Sequence, residues 1–103
     1  MEFIENIDLN DEEKFENLAY LFNMFSNITR LKILLLLFEE GEVSVNTIAE
    51  RLDASQSSIS HQLKNLKDHK LVGNRREGKE IFYFLLDDHI VTILDQGCKH
   101  IIE

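Results

Sequence analysis

Apolar side chains recur at helical spacing in the first part of the chain. The residues that share this spacing are Phe15, Leu18, Ala19, Phe22 and Phe25. Their separation predicts an amphipathic helix over about 11–25, capped by Asn10 with Glu13 completing a capping box. The next segment, about 28–39, is apolar on nearly every face, which predicts a buried central helix that ends at Gly41.

Two shorter helices are predicted next, separated by the tight turn "DAS". Ser44 is placed to cap the helix "VNTIAERL", and Ser55 is placed to cap the helix "QSSISHQLKNLKDH". In the second helix Ile59, Leu63 and Leu66 share one face, which predicts that this face packs on the core. The opposite face is polar and nearly free of acidic groups. Two helices joined by so short a turn form a helix-turn-helix.

The hydrophobic pattern changes to strict alternation in "KLVGNRREGKEIFYFLL". This alternation predicts two strands joined by a hairpin turn at Glu77-Gly78. A final helix is predicted over about 88–102, with Asp87 or Asp88 at its start.

Together these elements indicate one small domain over residues 1–103. Its predicted class is mainly α with a small β-hairpin, arranged as a winged helix-turn-helix of four helices, two strands and a last helix. Residues 1–10 are predicted to form a flexible acidic N-terminus.

Charge is distributed unevenly along the chain. The net charge is −8, yet residues 55–79 carry six Lys or Arg side chains against two acidic ones. A basic strip on an acidic protein can contact phosphates through that strip alone, although an ordinary solvated surface is the alternative. The strip covers the polar helix face and the hairpin, which predicts binding to double-stranded DNA. The residues predicted to contact DNA are Ser55, Gln56, Ser57, Ser58, Ser60, His61, Gln62, Lys64, Arg75, Arg76 and Lys79.

Other features of the sequence favour a cytoplasmic protein. Cys98 is the only cysteine, so no internal disulfide can form. The acidic N-terminal stretch lacks the basic residues of a secretory signal, and no apolar run approaches the ~20 residues of a membrane span. We find no nucleophile–base arrangement and no phosphate-binding glycine loop, so we expect neither an enzyme nor a small-molecule substrate nor a membrane partner.

Four potential metal ligands lie in the C-terminal segment "LDDHIVTILDQGCKHIIE": Asp87, His89, His100 and Glu103. His89 and His100 project from one face of the predicted helix but are separated by about 16 Å along it. Because a zinc–nitrogen bond measures about 2.0–2.1 Å, one metal cannot join both histidines of a single helix. An antiparallel copy of the helix would bring the first pair of one chain to the second pair of the other, twice per dimer.

The donor atoms of these four residues suit a particular kind of cation. Two imidazoles and two carboxylates fit tetrahedral Zn(II), with Co(II) as a plausible substitute. A closed shell of four ligands leaves no position for a reactive water, which favours sensing or structure over catalysis. The alternative is that the carboxylates cap helices and the histidines are ordinary surface residues. An apolar stripe beside the histidine face is predicted to form a seam between two helices; it consists of Ile90, Ile93, Leu94, Gly97 and Ile101.

Several segments of the chain resemble the ArsR/SmtB family of bacterial metal-sensing repressors. The resemblance is carried by "ITRLKILLLL", "SVNTIAERLDASQSSISHQLKNLKDHKLV", "RREGKEIFYFLL" and the spacing D-x-H-x10-H-x2-E. It extends from about Phe15 to Glu103 and implies a homodimer built by the first and last helices. The first helix would contribute Phe15, Leu18 and Phe22 to that interface.

The resemblance also implies a mechanism. The metal-free dimer would repress transcription from operator DNA, and Zn(II) binding at the four-ligand sites would release it. A hydrogen bond from the free ring nitrogen of His100 to the backbone carbonyl near Lys70 would connect the metal to the DNA-reading helix.

The chain departs from the family at one further site. The family also binds metal through a Cys-x-Cys in the first helix of the helix-turn-helix, and the corresponding stretch "EVSVNTIAE" has no cysteine. Thiol-based sensing of arsenic, cadmium or lead by that route is therefore excluded. Two alternatives stay open: a repressor of the same fold that responds to another metal or to a redox signal at Cys98, and a zinc-buffering or protein-interaction module.

Overall fold

The fold is defined in a computed structural model that describes residues 2–103, and Met1 and the side chain of Glu2 lie outside the described part. Most of the described chain is helical, with three short strands, which confirms the predicted mainly α class. The elements in chain order are α1 (Glu2–Glu5), α2 (Glu12–Met24), α3 (Ile28–Glu40), β1 (Glu42–Ser44), α4 (Val45–Arg51), α5 (Gln56–Asp68), β2 (Val72–Glu77), β3 (Glu80–Leu85) and α6 (Asp88–Ile102).

The strands form one antiparallel sheet in the order β1-β3-β2. β2 and β3 are the predicted hairpin, and Gly78 in its turn has a φ of 65°, a conformation that glycine adopts without strain. The sequence does not predict β1, because three residues are too few to show an alternating pattern. The hairpin of β2 and β3 is the wing. Val43 of β1 pairs with Tyr83 of β3, so the start of the helix-turn-helix is hydrogen-bonded to the wing.

Polar caps fix where the helices of the helix-turn-helix begin. As predicted, the Oγ atoms of Ser44 and Ser55 accept hydrogen bonds from backbone N–H groups in the first turns of α4 and α5, at 3.2 and 3.1 Å. The predicted capping box at Asn10 is wrong. Asp11 caps α2 instead, and its Oδ1 accepts a hydrogen bond from the backbone N–H of Lys14 at 3.2 Å. The helix therefore starts one residue later than the sequence suggests.

The N-terminal stretch contains one element that the sequence does not predict. The short helix α1 occupies Glu2–Glu5, within the residues expected to be flexible. The flexibility of residues 1–10 stays a prediction.

The apolar positions predicted to face inward form one core. Ile59, Leu63 and Leu66 of α5 are all 0% exposed, which confirms the inner face of this helix. They share the core with Ile33 and Leu34 of α3, which are also 0% exposed. α5 is thus anchored by its apolar side, and its polar side is left to the solvent.

No single helix among residues 2–103 has the length and apolar character needed to cross a membrane. α2 and α3 meet these requirements only as a pair, and they are bent by 81° at the break between them. In the fold, α3 uses its apolar surface for contacts with α5 and the sheet.

Leu34→Ala is expected to lower the free energy of unfolding by about 2–5 kcal/mol, because it removes most of a fully buried side chain and leaves a cavity. Leu9→Ala is the matched control: Leu9 is 80% exposed, and the same substitution there should cost less than about 0.5 kcal/mol. Urea denaturation at one protein concentration measures both changes. Equal losses in the two variants would contradict the assigned core.

Candidate nucleic-acid interface and metal-ligand pairs

The exposed side of α5 carries most of the polar residues predicted to contact DNA. Ser55 precedes the helix and caps it through the backbone N–H of Ser58. The other N–H groups of the first turn have no partner within the helix, so they favour an anion such as a phosphate. The predicted residues that are exposed on or beside α5 are Ser55, Gln56, Ser57, Ser58, Ser60, His61 and Lys64.

Gln62 differs from the rest of this set because its side chain is directed toward the protein. It is half-buried, and its Oε1 accepts a hydrogen bond from Nη1 of Arg30 at 3.0 Å. The amide oxygen of Gln62 is therefore bound to α3, and a contact of this side chain with DNA stays a prediction. Sequence reasoning also missed Arg30, whose signal is a positive charge within the largely apolar segment "ITRLKILLLL".

Arg75 of β2 is engaged within the wing. Its Nε donates to a carboxylate oxygen of Glu42 on β1, and its Nη1 donates to Oε2 of Glu77 at 2.9 Å. The guanidinium carbon lies 4.8 Å from the centre of the Phe82 ring. Hydrogen bonds to Glu77 and Glu42 raise the pKa of Arg75 above its ordinary value. Two carboxylates therefore offset the charge of Arg75 within the wing, and its contact with DNA stays a prediction.

Arg76 and Lys79 are the wing cations that remain available to DNA. Both side chains are exposed, and neither has an ion-pair partner within residues 2–103. Arg76 follows Arg75 in the strand and so projects from the opposite face of the sheet. Lys79 lines a small groove of about 180 Å³ together with Gln56 and Ser60 of α5. The tip of the wing therefore lies beside the start of α5.

Asp87 and His89 form the first ligand pair, at the start of α6. Asp87 occupies the N-cap position with an extended backbone (φ −137°, ψ 145°), yet its carboxylate makes no capping hydrogen bond. Instead its Oδ2 lies 4.0 Å from Nε2 of His89. The two side chains are 55% and 69% exposed. An oxygen and a nitrogen donor are thus free and adjacent at this end of the helix, as a metal site requires.

His100 and Glu103 lie at the other end of α6. His100 is in the last turn, Glu103 follows the helix, and both are exposed. Because α6 is a continuous helix of 15 residues, the two pairs are held about 16 Å apart. In the described part of the chain, no three His, Cys, Asp or Glu side chains are close enough to hold one metal. A site with all four ligands therefore requires a second chain.

An apolar groove of about 780 Å³ runs between α2, α3 and α6. The predicted interface residues that are at least partly accessible are Phe15, Leu18, Phe22, Ile93, Gly97 and Ile101. Ile101 is 81% exposed, an unfavourable position for a side chain of this size in an isolated chain. Ile90 and Leu94 were assigned to the same seam, but they are only 2% and 7% exposed because they pack into the core of their own chain. Leu94 nevertheless lines this groove, and the place of both residues in an interface stays a prediction.

Comparison with known sequences assigns a family to the middle of the chain. Residues 27–73 match the profile of bacterial regulatory proteins of the arsR family. The chain is 42% identical over 82 residues to an uncharacterised HTH-type transcriptional regulator of Methanocaldococcus jannaschii, which covers 80% of this chain and 92% of that protein. It is 33% identical over 84 residues to a homologue of the cadmium resistance transcriptional regulatory protein CadC from Staphylococcus aureus. That alignment covers 82% of this chain and 69% of the homologue.

Solved structures support the same fold. One is the homodimeric winged helix-turn-helix DNA-binding domain of a possible ArsR-family regulator from Mycobacterium bovis. It superposes with a TM-score of 0.82 at 26% identity, over 95% of this chain and 90% of that one. The antimony-specific transcriptional repressor AntR superposes with a TM-score of 0.82 at 27% identity, over 93% of this chain and 86% of AntR. These similarities confirm the winged helix-turn-helix.

Arg76→Gln and Arg75→Gln should affect binding to duplex DNA differently. Loss of the uncompensated charge of Arg76 is expected to weaken binding to DNA of any sequence and to reduce the slope of log K against log salt by about 1. Arg75→Gln should leave that slope nearly unchanged, since Glu42 and Glu77 already offset its charge. Fluorescence anisotropy over a salt series measures both slopes. An equal reduction in the two variants would show that Arg75 reaches a phosphate.

Proposed function

The chain belongs to the ArsR family of bacterial transcriptional regulators, and from this premise we propose that it is a metal-responsive repressor. In this proposal a metal-free homodimer binds operator DNA and is released when Zn(II) binds at two sites between the subunits. The observation that carries the proposal is the carboxylate of Asp87, which stands at a helix N-terminus without capping it and faces His89. A carboxylate in that position ordinarily accepts a backbone hydrogen bond.

The dimer of this proposal is built on the apolar groove between α2, α3 and α6. A second copy of the chain, related by a two-fold axis, would cover the groove with its own α2 and α6. In that arrangement the two α6 helices run antiparallel, so His89 of one chain lies near His100 of the other. Exposed apolar residues such as Phe22 and Ile101 would then be removed from water, which is the main driving force for association.

The ligand set of this dimer fits Zn(II). Each site takes Asp87 and His89 from one chain and His100 and Glu103 from the other, which gives the two nitrogen and two oxygen donors of a tetrahedral zinc site. The bound cation supplies a positive charge that joins the ends of two different chains. Protons compete for the imidazole nitrogens, so zinc affinity should fall in acid.

The start of α6 lies close to the end of the reading helix, which provides a route from the metal to DNA. The backbone N–H of Leu86 donates to the carbonyl oxygen of Leu71 at 3.1 Å, so the residue before Asp87 is bonded to the residue after Lys70. In the proposed dimer, His100 of the other chain reaches this same corner. Its second ring nitrogen would donate to the carbonyl near Lys70, and the reading helices would shift relative to successive major grooves.

Two other signals are compatible with the same fold. A metal other than zinc is favoured by the relatives, since one is named for cadmium resistance and one for antimony. The nitrogen and oxygen donors at α6 argue for zinc or cobalt over these thiophilic metals. A redox signal through an intersubunit disulfide is disfavoured: with His89 opposite His100, the two copies of Cys98 would be roughly 10 Å apart along the helices, beyond the ~7 Å limit for disulfide-bonded Cα atoms.

His100→Ala is expected to weaken zinc binding by about 100-fold or more, because it removes one of four ligands, while DNA binding without metal is retained. Lys99→Ala is the control, since Lys99 is an exposed neighbour in the same turn and supplies no ligand. Competition with a chromophoric chelator measures zinc affinity, and fluorescence anisotropy measures DNA affinity. Retention of tight zinc binding in the His100 variant would refute the assigned ligand set.

Zinc and operator DNA should weaken each other's binding by the same factor, since the coupling free energy between two sites is reciprocal. Zinc titrations with and without saturating operator, and operator titrations with and without zinc, give the two factors independently. Tight zinc binding that leaves DNA affinity unchanged would reject the sensing role and favour the zinc-buffering alternative.

A further inference from the structure

Arg30 connects the end of α2 to the reading helix α5. Its Nε donates to the carbonyl oxygen of Met24 at 3.0 Å, and its Nη2 donates to the carbonyl oxygen of Asn23 at 2.9 Å. Its Nη1 donates to Oε1 of Gln62 at 3.0 Å. Because a guanidinium is planar and its N–H groups have fixed directions, the three bonds define the position of Gln62 relative to the end of α2.

The α2 side of this connection is firmly held. Arg30 is the third residue of α3, and its backbone N–H donates to Oδ1 of the capping residue Asn27 at 3.0 Å. The carbonyl oxygens at the C-terminus of α2 carry partial negative charge and so favour a cation, although that of Asn23 also accepts a hydrogen bond from the backbone N–H of Ser26 at 3.0 Å. Arg30 therefore stays bound to α2, and Gln62 is the partner whose position depends on it.

A second contact joins the same two helices at the end of α5. The rings of Tyr20 on α2 and His69 lie 6.1 Å apart, inclined by 37°. Nδ1 of His69 donates to the carbonyl oxygen of Asn65 at 2.9 Å, which fixes this ring to the last turn of α5. The reading helix is thus held against α2 at its middle and at its end.

α2 also contributes to the surface proposed for dimerisation. Phe22 and Phe25 line the apolar groove shared with α6. The helix that would pack on the partner chain is therefore also linked to α5 by Arg30 and Tyr20, in addition to the packing of α5 on α3, α4 and β2.

We propose that Arg30 is a positioning residue for DNA recognition: by holding Gln62, it makes the orientation of each reading helix follow the orientation of α2 in the dimer. Two reading helices of a symmetric dimer must enter major grooves about 34 Å apart, so small rotations of α5 change the fit to an operator. The inference rests on the proposed DNA-binding dimer but does not depend on which metal regulates it.

A double-mutant cycle between Arg30 and Gln62 tests the proposal. Arg30→Lys keeps the charge but cannot make three directed bonds, and Gln62→Met removes the acceptor with little change in volume. Each is expected to lower operator affinity by about tenfold, because α5 is no longer held in the orientation that fits the major groove. The double variant should bind no more weakly than the weaker single variant, because both changes remove the same bond.

The measurements use the full chain with a chelator and an operator selected from a pool of random duplexes. Gln56→Met provides the matched control, since Gln56 lies on the same helix and has no bond to Arg30. Its effect should add to that of Arg30→Lys. Additive effects of Arg30→Lys and Gln62→Met, or unchanged operator affinity in both, would overturn the proposal.

A second readout separates positioning from a purely structural role. Wild-type protein should bind the selected operator much more tightly than one whose half-sites are moved apart by one base pair. In Gln62→Met this preference should shrink, because the reading helices are no longer held at one orientation, while dimer dissociation stays as in wild type. An undiminished preference would overturn the proposal. If the Arg30–Gln62 cycle shows coupling but zinc does not change DNA binding, the zinc site is refuted and the positioning role of Arg30 stands.

Discussion

The length of the rigid helix α6 prevents one chain from bringing the four proposed metal ligands together. A continuous helix of 15 residues places Asp87 and His89 at one end and His100 and Glu103 at the other, about 16 Å away. No side-chain rotation closes that distance. The same helix borders an apolar groove that an isolated chain leaves open to water. Ligand geometry and apolar exposure therefore both support the antiparallel partner of the proposed dimer.

In the helix-turn-helix and the wing, some polar side chains bind within the protein and others are exposed to the solvent. On α5, buried leucine and isoleucine side chains anchor one face and leave serines, His61 and Lys64 on the other. On the wing, Arg75 is held by Glu42 and Glu77, and this leaves the charge of Arg76 uncompensated at the surface. A protein with a net charge of −8 can in this way present a local cationic surface to phosphates.

The parts of the structure that sequence predicts well are those set by neighbouring residues. The spacing of Ile59, Leu63 and Leu66 predicts the inner face of α5, and the Ser44 and Ser55 caps depend on backbone groups three residues away. Local reasoning still misplaces the cap of α2, which is Asp11 and not Asn10. Contacts between residues that are distant in the chain are not predicted. Gln62 is bound by a residue 32 positions earlier and Arg75 by one 33 positions earlier, and no local pattern reports such contacts. The metal site is predicted as two ligand pairs, and its assembly depends on a second chain.

Each proposed zinc site is shared between two chains, and zinc stoichiometry in mixed dimers tests this sharing directly. His89→Ala chains and His100→Ala chains each lack a ligand at both sites, so neither homodimer should bind zinc tightly. When the two are combined, one site of the mixed dimer regains the wild-type His89 of one chain and the wild-type His100 of the other. The predicted result is one tightly bound zinc ion per isolated mixed dimer. Mixed dimers that bind no zinc tightly would contradict a site shared between the chains.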